Sequence, residues 1–281
     1  MNVGVKLVGL CRWSYPAEPG AFAEAEGETL ESLRRRLYAP ERLAKRLLFL
    51  REIVVPCLKA QSDPDFTLVM LMGDQLPEPV RAKVLQIIAP VPQIKPVFRE
   101  EGLPHQEVCR QLMLAERDDT VRAAAEFRLD DDDAVGVDFI ERVRDFFPKV
   151  RGIYRNGGKL VLDFNRGFIL SVDEDGVQLR QVITRNWTPG QVLFIRPLSD
   201  KCLFDFAHAQ MWRRIPTMSF PRAQMFLRGA HAENDSQIGV RKFNEEMLRV
   251  SAAELPDLMQ TRFNLDLERL RDGWAALCDL D

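Results

Sequence analysis

The 281-residue chain has no CxxC pair, and its five cysteines (Cys11, Cys57, Cys109, Cys202 and Cys278) stand far apart. Neither a zinc knuckle nor a disulfide framework is expected, and reduced, mostly buried thiols in a cytoplasmic protein are. No apolar run nears the ~20 residues that a bilayer requires, the densest being Leu68 to Met72. No transmembrane segment is expected. The opening MNVGVKLVGLCRW is broken by Lys6 and ends at Arg12, so it reads as a buried strand rather than a signal peptide. Net charge is also scarce: 39 Lys+Arg face 42 Asp+Glu, a balance of −3. That balance gives no basic face for nucleic acid, and a hydrophobic content of 46% excludes a disordered chain. GxGxxG, GxxxxGK[ST] and GxSxG are all missing. Dinucleotide, P-loop and α/β-hydrolase chemistry therefore lose their usual signatures.

What is present alternates. Residues 3–11 read as a strand. Pro40 opens a helix whose apolar face is Leu43, Leu47, Leu50 and Val54. Residues 65–72 form a continuous apolar run between Pro64 and Gly73, which suits a central parallel strand covered on both faces. A helix over 77–88, a strand over 94–98, a helix from Pro104 to about Ala125 and a short strand over 126–129 follow. This order predicts an α/β fold with a mostly parallel sheet and helices on both faces. The second half reads as mixed α+β. Strand-like runs cover 159–172 and 177–184 around the turn signal Asp173-Glu-Asp-Gly176, and another covers 191–196. Residues 204–213 are expected to be helical and 218–228 extended. Phe263, Leu267, Leu270, Trp274 and Leu277 predict one amphipathic C-terminal helix. The Glu-rich stretch 17–33 reads as a solvated loop or flap.

The sharpest feature is Arg128-Leu-Asp-Asp-Asp-Asp133-Ala. Four consecutive carboxylates repel one another, and at the carboxyl end of a buried strand they lie where open α/β sheets bind ligands. On an extended segment Asp130 and Asp132 would share one side, Asp131 and Asp133 the other. Either pair offers oxygen ligands to a hard cation such as Mn²⁺ or Mg²⁺. The competing reading is an acidic cap for the helix that starts near Val137. A second feature is Arg228-Gly-Ala-His231-Ala-Glu-Asn234-Asp235-Ser236. His231 is one of only three histidines and would complete a metal site begun by the aspartates; Asp235 would serve as a general base. Here the competing reading is a helix cap made of Asn234, Asp235 and Ser236. Asp74, after the second strand, is a candidate for nucleotide contact, and Arg12, after the first, for phosphate. Gly167 in Asn165-Arg166-Gly167 suggests a bulge near a ligand. His208 and Trp212, at i and i+4, share one helical face and are candidates to line an acceptor pocket, the competing reading being aromatic packing in the core.

These residues together resemble a known fold family. Pro56-Cys-Leu-Lys-Ala-Gln61-Ser-Asp63, with the following strand and Gly73-Asp74, resembles the opening of a GT-A glycosyltransferase, and Phe127–Ala134 resembles that fold's DxD metal segment. More narrowly, Tyr38–Leu43, Asp65–Val69, Arg128–Ala134, Asp163–Gly167, Ala207-His208 with Trp212, and Asn234-Asp235-Ser236 are similar to a bacterial rhamnosyltransferase family, from about residue 5 to residue 240. The resemblance implies one GT-A-like domain over 1–281, with a nucleotide-binding half (1–135) and an acceptor-binding half with the C-terminal helix (136–281). It implies transfer of a sugar, a deoxyhexose such as rhamnose in surface polysaccharide synthesis, from a nucleotide diphosphate sugar to a saccharide or lipid-linked acceptor. Such an acceptor would bring the protein to a membrane surface without anchoring it. The metal would be Mn²⁺ or Mg²⁺ on Asp130, Asp132, Asp133 and His231. Arg12, Asp74, Arg128 and Asp131 would seat the nucleotide, Asn165, Arg166, His208, Trp212 and Asn234 the substrate, and Asp235 would be the base. A typical inverting enzyme carries Glu-Asp where this chain has Asn234-Asp235. Two other classes fit the aspartates: a metal-dependent phosphodiester hydrolase, and a sugar-nucleotide-binding scaffold that has lost catalysis.

Overall fold

A computed structural model describes residues 4–19, 29–173, 176–230 and 253–278. The first half follows the alternation. Strand β1 (Val5–Arg12) leads through helix α1 (Leu30–Leu37) to α2 (Pro40–Phe49). Proline at the first position needs no N–H partner there. A π-helical stretch, Leu50–Val54, joins α2 to α3 (Val55–Lys59). Then come β2 (Thr67–Gly73), α4 (Glu78–Ile88), β3 (Ile94–Arg99), α5 (His105–Ala115) and β4 (Ala123–Arg128). The helix expected up to Ala125 stops ten residues earlier. Asp118 Oδ1 accepts the Thr120 N–H in a tight turn, and Ala123, Ala124 and Ala125 then enter the sheet fully buried. Alanine's helix propensity yields there to the space available in a central strand.

The second half continues with β5 (Ala134–Val135), α6 (Phe139–Gly157), β6 (Lys159–Asp163), β7 (Arg166–Asp173), β8 (Gly176–Ile183), β9 (Gln191–Ile195), β10 (Thr217–Ser219), β11 (Phe226–Ala230), α7 (Leu255–Phe263) and α8 (Leu267–Cys278). The run 159–172 is two strands in two sheets, with the change made at Phe164 and Asn165. The C-terminal amphipathic stretch is likewise two helices, broken at Asn264, whose φ of 54° is left-handed. The expected helix over 204–213 is replaced by 3-10 turns at Leu203–Asp205 and His208–Arg213.

The main sheet has the order β10-β6-β9-β4-β1-β2-β3. It is parallel except for β9, which runs antiparallel to both β4 and β6. Residues of β1 and β2 are buried on both sides. Leu7, Leu68 and Met70 pack in the large core with Leu43, Phe49 and Val84 of α2 and α4; Val8, Leu10, Val69 and Leu71 pack against Val108, Cys109 and Leu112 of α5. Two-faced burial is why the 65–72 run is continuously apolar. A smaller sheet, β5-β11-β7-β8, shares the large core through Phe168, Leu170 and Leu227. Its β11 meets β5 through two residue pairs, Phe226↔Val135 and Leu227↔Ala134. This short pairing brings the segment after Asp133 against the segment before His231.

Candidate active site

The carboxyl ends of β1 and β4 open into a cleft with two connected cavities. The first, of about 280 Å³, is lined by Arg12, Ser14 and Tyr15 from the end of β1, by Leu33, Arg36 and Leu37 of α1, and by Arg42 and Arg46 of α2. Arg128, Asp130, Asp131, Asp132 and Asp133 close it from β4, Arg228 and Gly229 from β11, and Thr188 and His208 complete it. Six guanidinium groups thus surround four carboxylates. The second cavity, of about 350 Å³, shares Arg128, Thr188 and His208 with the first. Its other walls are Glu18, His105, Gln106, Gln191, Leu203, Phe204, Phe206 and Ala207.

The aspartates are not extended. Asp133 N–H donates to Asp130 O at 3.2 Å, a tight turn, so the expected alternation fails. Asp130 accepts a forked pair from Arg128, Nε at 2.9 Å and Nη2 at 3.1 Å. Asp131 takes Arg46 Nη1 at 2.7 Å, and Asp132 lies 3.7 Å from the same nitrogen. Asp132 and Asp133, neighbours in sequence, converge on Gly229. Asp133 accepts the Gly229 N–H at 3.0 Å, and a Cβ on Gly229 would lie 2.6 Å from the Asp132 carboxylate. Only glycine allows that approach. The charges respond to this packing. Burial pushes Asp130 up, but Arg128 above all holds its carboxyl down to about 2. Burial raises Asp131 in spite of Arg46. Burial, with Asp132 and Asp130 beside it, drives Asp133 far above the usual carboxylate range. Clustered buried carboxylates are the donor chemistry of a hard divalent cation, which would relieve that repulsion. Among the described residues, no three His, Cys, Asp or Glu side chains stand together as a ligand set.

Residues 6–242 match the model of a family described as "Putative rhamnosyl transferase". The chain belongs to that family. This is the family that its motifs led us to expect. Among solved structures, S. aureus TarS 1-349 in complex with UDP-GlcNAc is 10% identical, covers 97% of this chain and 71% of that one, and superposes with a TM-score of 0.43. S. aureus TarS 1-349 in complex with UDP is also 10% identical, with a TM-score of 0.42 over 80% of this chain and 60% of that one. This rhamnosyl transferase family member therefore spans less than two thirds of the latter's length. No curated protein matches the sequence.

Several candidates fall where expected. Arg12, Arg128, the four aspartates and His208 all line the cleft. Others do not. Asp74 is exposed beyond β2, its N–H bonded to Arg99 O at 2.9 Å, and lines neither cavity. Its neighbourhood is instead a structural knot in which Glu101 accepts from Tyr38 at 2.5 Å and from Arg34 at 2.6 Å. Asn165 and Arg166 sit at the crossing between sheets rather than at a bulge: Asn165 O accepts the Thr184 N–H, and Arg166 Nη1 donates to Arg222 O. Gly167 is needed because a Cβ would strike the Phe226 carbonyl oxygen. Trp212 is 55% exposed and outside both cavities, its Nε1 on Ala209 O and its ring under Arg213. With three residues per turn, a 3-10 helix does not place i and i+4 on one face. His231, Asn234 and Asp235 lie outside the described residues, as does most of the Glu-rich stretch.

Sequence reasoning missed Arg36, Arg42 and Arg46, and it quoted Arg228 without a role. A signal existed: Arg42 and Arg46 stand at i and i+4 on a Pro-started helix, and Arg46 is a buried charge on an otherwise apolar face. It also missed Asp163, Asn186 and Gln191. Buried Asp163 accepts the Asn186 N–H at 3.2 Å, while Gln191 Nε2 donates to Asn186 Oδ1 and to His208 O, each at 3.3 Å. Asn186, with φ of 56°, thereby holds the turn that presents Thr188 to both cavities.

Proposed function

We propose that this protein moves a sugar from a nucleotide diphosphate sugar to the hydroxyl of a saccharide or lipid-linked acceptor. The observation that carries this reading is the ring of six arginines around a buried four-aspartate turn at the carboxyl ends of β1 and β4. Guanidinium forks match phosphate oxygens two at a time. Arg12, Arg36, Arg42 and Arg228 supply positive charge for a diphosphate, and Arg128, fixed by Asp130, stands between the two cavities. A divalent cation, Mn²⁺ or Mg²⁺, would be held by Asp132 and Asp133, with His231 as a further ligand, while Asp130, expected as a ligand, is already engaged by the Arg128 fork. When bound it supplies Lewis-acid neutralisation of the departing diphosphate.

The second cavity suits an uncharged partner. Phe204 and Phe206 offer ring faces, and Gln106, Gln191 and Thr188 offer amide and hydroxyl groups. Burial, aided by nearby arginines, lowers His105 to about 3 and His208 to about 4, so both imidazoles are neutral at pH 7. We assign this cavity to the acceptor. Its hydroxyl oxygen would form the bond to the sugar's anomeric carbon as the bond to the diphosphate oxygen breaks, and Asp235 would take the hydroxyl proton. Rhamnose as the donor sugar, a role in surface polysaccharide synthesis, a cytoplasmic site of action and peripheral membrane contact belong to the same proposal. They rest on the family resemblance. Among the described residues, no helix is long and apolar enough to cross a membrane.

Thermal unfolding with UDP, dTDP, GDP and ADP, each with and without Mn²⁺, tests the reading. A ligand at ~100 times its dissociation constant stabilises by about 2.7 kcal/mol, a shift on the order of 5 °C. One nucleotide acting together with the metal is the expected result. No shift with any nucleotide, together with hydrolysis of a generic phosphodiester, would transfer the aspartates to the hydrolase reading.

A further inference from the structure

Glu126 and Arg117 line neither cavity, yet both are tied to the wall of one. Glu126 is fully buried on β4, two residues before Arg128 and on the same face of the strand. Its Oε1 receives Arg117 Nε at 2.8 Å and Nη2 at 2.6 Å, and its Oε2 accepts the Leu203 N–H at 2.7 Å. The rest of the Arg117 fork donates to the carbonyls of Ser199 at 2.7 Å, Lys201 at 2.6 Å and Pro197 at 3.3 Å. Four backbone groups of one irregular segment, 197–203, thus depend on a single buried ion pair. That segment runs directly into Leu203, Phe204, Phe206 and His208 of the aromatic cavity. A buried pair holds a loop no more strongly than apolar packing would, and its asset is directional. Each donor and acceptor fixes one peptide plane.

We infer that Glu126 is a positioning residue: through Arg117 and the Leu203 N–H it sets the 203–208 wall of the second cavity, and so the affinity of the uncharged ligand seated there. The inference rests on assigning that cavity to a saccharide acceptor. Arg128, two residues along the same strand, belongs to both cavities. One strand therefore carries the anion contact and, through Glu126, the wall opposite it.

The experiment measures binding of two ligand types to the full chain: a nucleoside diphosphate with Mn²⁺, and a panel of methyl glycosides (glucoside, galactoside, mannoside and rhamnoside) followed by saturation-transfer NMR. Glu126→Gln removes the charge and half of the acceptor set, and is expected to weaken glycoside binding about tenfold or more, the scale of a lost charged hydrogen bond. Nucleoside diphosphate affinity should stay within about twofold. Arg117→Lys retains a cation for Glu126 but loses the fork, and is expected to fall between Glu126→Gln and the wild type. It carries the test alone if Glu126→Gln does not fold. Unchanged glycoside affinity in both variants, or a parallel loss of both ligands, overturns the positioning role. So does a wild-type protein that binds the nucleotide and no glycoside. A wild-type protein that binds a glycoside and no nucleotide instead strikes the donor reading, and the glycoside arm still judges Glu126.

Discussion

The arginine cavity and the aromatic cavity meet at Arg128, Thr188 and His208 and are otherwise built of different materials. The first is assembled from charges that answer one another: Arg128 with Asp130, Arg46 with Asp131, and Asp133 on a backbone N–H. The second is made mainly of rings, amides and neutral imidazoles, with Glu18 and Arg128 as its charged members. Their supports differ in the same way. The arginine cavity is held by its own lining residues. The aromatic cavity is held from behind, by Glu126 with Arg117 and by Asp163 with Asn186 and Gln191. The difference teaches that the paired charges of the first cavity, Arg46 with Asp131 above all, carry stability as well as lining the site, whereas the second can be loosened without touching its lining.

The largest expected effect is on stability. Arg46→Met leaves Asp131 buried without its cation, which costs about 3–5 kcal/mol and lowers the melting temperature on the order of 10 °C in a thermal scan. An unchanged melting point would break the claim that the arginine cavity holds itself. Asp132→Ala should cut turnover by about 10²–10³-fold or more, with the circular dichroism spectrum unaltered. Normal activity would remove this residue from the chemistry. Gly229→Ala pushes a methyl into the Asp132 carboxylate, and overpacking of that kind costs about 1–3 kcal/mol. It should weaken nucleoside diphosphate binding and leave glycoside binding in place, which sharpens the separation of the cavities.

Smaller effects follow from protonation and exposure. Burial first, then Arg128 and Arg228, lowers His208 to about 4. An unfolded histidine takes up its proton near pH 6.5, so between that pH and about 4 the unfolded state binds more protons. His208 therefore costs stability as pH falls through that window and nothing above it. His208→Gln should make the protein lose about 1–2 kcal/mol less than the wild type between pH 7 and pH 5, measured by denaturant unfolding. Trp212→Ala should change stability by no more than about 0.5 kcal/mol and leave both ligand affinities intact, since the residue is more than half exposed and lines neither cavity.

Much of the first half was legible because burial there obeys short-range rules. Pro40 and the apolar run 65–72 announced a helix and a two-faced strand, and both formed. The acidic run was legible as a candidate at the carboxyl end of β4, and there it lines the cleft. Its geometry was not, since a turn bonded from Asp133 N to Asp130 O replaces alternation by convergence. The pairing of helical and 3-10 spacing failed in the same way at Trp212, where the pitch decides which side chain faces inward. Arg36, Arg42 and Arg228 were invisible as a group because they come from α1, α2 and β11, and only the packing of the two sheets brings them together.

The two-residue contact between β5 and β11 also governs when the site can exist. Asp133 meets Gly229 across 96 residues of chain. At ribosomal rates of 5–20 residues per second, the aspartate turn emerges about 5–20 s before the strand that completes it. Loop closure over that span is a late, non-local event. For that interval β4 first lacks its neighbour β9, and the four carboxylates have yet to meet the strand that packs against them. The aspartate turn thus gains its Gly229 partner only once β11 has been made.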